Sequence, residues 1–68
     1  MTTAQKLQIE TAKFVGQNIL KVTGNDIAKF YTMEFTSNLY AQKVAAIFSK
    51  LNALVNVEGS KLTMIWTK

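Results

Sequence analysis

Cysteine, histidine, proline and arginine are all missing from this chain of 68 residues. Without cysteine there is no disulfide and no thiolate metal site. Without histidine the commonest general base and the commonest metal ligand are gone. The four carboxylates are scattered, and no glycine-rich phosphate loop is present. No nucleophile–base pair or metal cluster can be assembled from these residues, so neither enzymatic activity nor a cofactor is expected. With no proline and only three glycines, the chain has few forced breaks. No apolar run approaches the roughly 18 residues that a membrane span needs. The start, MTTAQKLQIE, has neither the basic flank nor the apolar core of a signal peptide. A soluble cytoplasmic protein with no membrane partner is the expectation.

What is present is an ordinary globular composition, 49% apolar and 18% charged. Residues 1–68 form one domain, near the lower size limit for an unaided core. Eight basic residues against four acidic ones give a net charge of +4. Such a field favours a polyanion such as nucleic acid, although a charge of this size also serves solubility alone. All eight bases are lysine. Lysine is a point charge suited to phosphate, whereas arginine is the usual bidentate reader of guanine.

No linker, low-complexity tract or internal repeat is visible. Residues 2 to about 18 predict a helix: Thr2 and Gln5 have capping-box spacing, and Ala4, Leu7, Thr11, Phe14, Val15 and Asn18 share one face. ILKV, residues 19–22, predicts a brief strand. Thr23, with Asp26 three residues on, reads as the start of a short second helix that buries Ile27, Phe30 and Tyr31 and ends near Thr32. TMEFTS then makes a turn, with Thr36 or Ser37 capping a third helix to about Asn52. The apolar side of that helix is Tyr40, Ala41, Val44, Ile47, Phe48 and Leu51. Beyond it the period changes to two: Val55 and Val57, a turn at EGS, then Leu62, Met64 and Trp66, which is a hairpin pattern. The expected core joins Phe14, Ile27, Phe30, Val44, Phe48, Leu51 and Trp66.

The order helix, short strand, helix, helix, strand, strand resembles the winged helix-turn-helix family, over nearly the whole chain. VTGNDIAKFY is similar to the strand-to-helix entry of such domains, and TSNLYAQKVAAIFSKLNALVNVEGSKLTMIW to a recognition helix running into the wing. The resemblance implies an α+β fold of three helices, a short strand and a C-terminal β-hairpin wing. It also implies a transcriptional regulator that binds double-stranded DNA with its third helix in the major groove. Ser37, Asn38, Gln42 and Lys43 would then face base edges, with Ala46 near a thymine methyl and Lys50, Lys61 and Lys29 on phosphates. The departures are a turn without glycine near TMEFT and a wing shortened by EGS, where Glu58 would oppose phosphate.

The same polar residues also suit a plain solvated helix face. The rival function is a protein-interaction module, such as a phage- or plasmid-type regulator that grips a host protein. The position of the lysines separates the two. Lys43, Lys50 and Lys61 on one face would favour DNA, whereas scattered lysines beside an open apolar patch would favour a protein partner. Leu7, Ile9 and Leu39 are left without an obvious burial site, which suggests a homodimer paired through the first helix.

Overall fold

A computed structural model of the chain describes residues 2–66. Two helices cover one face of a four-stranded antiparallel sheet, in the order α1 (Thr3–Val15), β1 (Ile19–Asn25), β2 (Phe30–Phe35), α2 (Asn38–Lys50), β3 (Leu54–Glu58) and β4 (Lys61–Ile65). Across the sheet the strands run β1-β2-β4-β3. The architecture repeats where the sequence does not. A helix followed by a hairpin occurs twice, and β2 and β4 form the seam between the two halves.

The capping box of α1 is complete: the Gln5 amide donates to Thr2 Oγ1 at 3.2 Å and the Thr2 amide donates to Gln5 Oε1 at 2.9 Å. Leu7, Thr11 and Val15 are buried at helical spacing, and a single 3-10 turn at Gly16–Asn18 leads into β1. Asn18 ties the end of α1 to the connection between β2 and α2. Its Nδ2 donates to Val15 O at 2.8 Å, while its Oδ1 accepts from Thr36 Oγ1 at 3.0 Å. At the other end of α2, Asn52 takes a left-handed φ of 67°, and the Asn52 and Ala53 amides donate to Ser49 O and Phe48 O. That pairing is a Schellman stop, with asparagine in the place glycine usually fills.

The winged-helix expectation is overturned. Two helices are present among the described residues, not three, and Thr23–Thr32 is a β-hairpin rather than the second helix. Its polar residues make a turn instead of a helix cap: Asn25 Oδ1 accepts from the Ile27 and Ala28 amides at 2.8 and 3.2 Å. Lys29 then takes a φ of 58°, which reverses the chain. FYTMEF, read as the end of a helix and a turn, is a central strand in which Tyr31, Met33 and Phe35 alternate inward. The last two strands form the expected hairpin, closed by Gly59 and Ser60 with Gly59 at φ 60°.

The expected core changes accordingly. Val44 and Phe48 are buried, and Trp66 packs against the core with its ring edge-on to Phe48 at 5.5 Å. Phe14, Ile27, Phe30 and Leu51 are exposed, Ile27 by 94%. Their places are taken by Tyr31, Met33, Phe35, Leu62 and Met64, which cover the helix side of the sheet.

The other side of the sheet carries no helix. Strand register arranges its side chains in three cross-strand rows. Lys21, Glu34, Lys61 and Glu58 form the first, alternating in sign. Thr23, Thr32, Thr63 and Asn56 form the second, and Asn25, Phe30, Ile65 and Leu54 the third. A bulge at Leu20 puts β1 into this register.

Candidate binding groove between the helices

Each helix lies chiefly over its own half, α1 against β1 and α2 against β3, and the two helices meet only sparsely. The gap between them is a groove of about 850 Å³. Leu7, Phe48 and Trp66 line its depth, while Ile9, Phe14, Ile47 and Leu51 form walls open to solvent. Thr3, Lys6 and Glu10 are its polar lining. A helix buries one stripe of side chains against the sheet, so apolar residues off that stripe stay at the surface. Ile9 and Phe14 of α1 stand off it, each about half exposed.

Charge is divided unevenly between the layers. The helices carry Lys6, Lys13, Lys43 and Lys50 against one acid, Glu10. The open sheet face balances Lys21 and Lys61 with Glu34 and Glu58, and the β1–β2 turn pairs Asp26 with Lys29. Lys13 and Glu10 form an exposed ion pair at 3.2 Å, which contributes little to stability. The positive surplus of the described residues therefore lies on the helical layer that holds the groove.

The residues expected to read DNA are brought together only in part. Asn38, Gln42, Lys43, Ala46 and Lys50 are exposed on α2, and Ser37 is its exposed N-cap, whose side chain makes no capping bond. Leu39, 68% exposed, lies among them. Lys61 is on the opposite face of the sheet, and Lys29 is in the β1–β2 turn. The residues that sequence reasoning misses are the groove walls. Helical spacing assigns Phe14 and Leu51 to the core and leaves Ile9 without a place in it. The signal for them is there nonetheless: more large apolar residues than the helical stripes can bury.

One polar contact lies near the N-terminal end of the groove. The Tyr31 hydroxyl donates to Asp26 Oδ1 at 2.9 Å. That bond, followed by the Thr3 hydroxyl and the charges of Lys29 and Lys6, holds the Asp26 carboxyl below the ordinary value of 3.8. Burial, and then the bond to Asp26, pushes the Tyr31 hydroxyl above 10.0. The consequences for stability have opposite signs. Asp26 contributes stability that is present above its ordinary value and is lost as pH falls through its lowered one. Tyr31 contributes stability that is present below 10.0 and is lost as pH rises through its raised value. Urea midpoints measured against pH should therefore fall at both extremes. Asp26→Asn should flatten the acid limb and Tyr31→Phe the alkaline one. An Asp26→Asn protein with the parent's acid limb would show that this pair is not its source.

No helix among the described residues is long and apolar enough to cross a membrane. Compared with known proteins, the chain matches no family model, no curated protein and no solved structure.

Proposed function

We propose that this domain is a non-catalytic interaction module that receives an acidic, apolar-faced helix of a partner protein in the groove between α1 and α2. The observation that carries the reading is the groove itself, apolar along its walls and set in the layer that holds the positive surplus of the described residues. An amphipathic helix docks such a groove through residues at i, i+3, i+4 and i+7. Acidic residues beside that stripe would face Lys6 at the groove, and the lysines elsewhere on the two helices favour encounter with an acidic partner over a basic one.

DNA is the competing ligand, and one observation speaks for it: α2 has no acidic residue and exposes Gln42, Lys43 and Lys50 on one side. Against it, Lys61 lies behind the sheet, so Lys43, Lys50 and Lys61 do not share a face. An open apolar surface is also present. Scattered lysines beside such a surface are the arrangement that favours a protein partner.

Trp66, the sole tryptophan, lines the groove and serves as the reporter. A tryptophan-free helical peptide with leucines at those four spacings and flanking glutamates should change its fluorescence and saturate. The same peptide with lysines for glutamates should bind more weakly. Ile9→Glu and Leu51→Glu should each weaken the acidic peptide about tenfold or more, because each removes an apolar contact of roughly 1.5–3 kcal/mol. Both sites are exposed, so melting should change little. If the peptide fails to bind while a DNA duplex binds through Lys43 and Lys50, the groove is not the site and α2 reads nucleic acid instead.

A further inference from the structure

We propose that the open face of the sheet is a self-complementary surface on which a second copy of this chain docks. The proposal is independent of what occupies the interhelical groove. It follows from the order of charges in the first cross-strand row. From β1 to β3 that row reads Lys21, Glu34, Lys61, Glu58. Read backwards, it has the opposite sign at every position.

Two copies placed face to face can be related by a two-fold axis lying between the sheets. If the axis runs along the strands, each row meets its own counterpart with the strand order reversed. Lys21 then opposes Glu58 of the other copy, and Glu34 opposes Lys61. All four charges find an opposite charge. The apolar row meets itself in the same arrangement, Phe30 across from Ile65, and the threonine row lies between them. An axis across the strands would instead set the charged row on the apolar row, burying lysines and glutamates without partners. One packing is therefore favoured, with the sheets about 10 Å apart in the aligned manner of a β-sandwich.

The charged row lies at one end of the strands, next to solvent, so its cost of desolvation is small and its attraction is screened by salt. Each copy contributes about a dozen side chains, well short of the roughly 20–30 per side in a standard interface. The association is thus weak, concentration-dependent and sensitive to ionic strength. Because the helices point away from it, the pairing leaves both grooves open.

Sedimentation of the whole chain over about two decades of concentration up to ~0.5 mM should show a monomer–dimer equilibrium. Raising salt from about 50 to about 500 mM should weaken it roughly tenfold. Lys61→Glu sets a carboxylate against Glu34 of the other copy, and Glu34→Lys sets an ammonium against Lys61. Each variant alone should lose roughly 100-fold in dimer affinity. Mixed in equal amounts, the two restore an opposite charge at every facing position and should form a dimer containing one of each. Thr32→Arg, in the central row, should block association by bulk and by a charge that has no opposite partner there. A parent that stays monomeric overturns the proposal. So does a variant that pairs as tightly as the parent, or a mixture that fails to associate.

Discussion

Replacing Phe48 with alanine should cost about 3–5 kcal/mol, the range for deleting a buried aromatic side chain. The ring projects from α2 into the core, is 4% exposed and makes an edge-on contact with Trp66. Below roughly 70–80 residues a single hydrophobic core rarely supplies more than about 3–5 kcal/mol. The variant should therefore be largely unfolded at room temperature, with its urea transition lost or moved close to zero denaturant. Phe14→Ala is the control. It deletes the same atoms from a side chain that is about half exposed on α1, and should cost about 1 kcal/mol or less. Similar losses at the two positions would contradict the placement of both phenylalanines.

Gly24→Ala should destabilise the fold by roughly 2–3 kcal/mol, a large effect for one methyl group, for steric reasons. Gly24 pairs with Tyr31 across the β1–β2 hairpin, and the tyrosine ring lies over the glycine. A Cβ there would collide with Tyr31 Cδ1 and stand 2.9 Å from Phe30 O. Tyr31 cannot simply swing away, because it is 2% exposed and its hydroxyl is held by Asp26. The mechanism predicts strong coupling between the two positions. Tyr31→Leu should cost clearly less in the Gly24→Ala background than in the parent, by more than the few tenths of a kcal/mol typical of independent sites. Additive losses in the double-mutant cycle would mean that the ring is not what the methyl group meets.

Much of this fold could be read locally. The capping box at Thr2 and Gln5, the apolar stripe of α2 and the alternation from Val55 to Trp66 are signals contained within a few residues; a helix or strand forms at each, with α1 ending at Val15 rather than near Asn18 and β4 at Ile65. Thr23 to Phe35 could not be read in that way, for two reasons. Asn25 and Asp26 are equally suited to capping a helix and to closing a turn, and only pairing with a neighbouring strand decides between them. Phe30 also obscured the alternation of β2, because a phenylalanine on the open face adjoins the inward-facing Tyr31. The polar side of α2 was legible from helical spacing alone, which is why Gln42, Lys43 and Lys50 do share a face. The groove was not, since it depends on how far apart the sheet holds the two helices. Ile9 was its trace, as an apolar residue that the helical stripe could not accommodate.

The repeated helix–hairpin plan also shapes how the chain closes on itself. Two of the three strand pairings, β1–β2 and β3–β4, join neighbouring segments through the short turns 26–29 and 59–60. Each costs little loop entropy to form. The β2–β4 seam is different, because pairing Glu34 with Lys61 loops out everything between them, including all of α2. The entropy of sheet assembly is therefore concentrated in one long-range closure. Until that step, Met33 and Leu62, the fully buried pair facing each other across the seam, have a partner strand on one side only. Contacts of long sequence separation slow folding most. For this chain, the expected slow step of folding is accordingly the meeting of two locally formed hairpins.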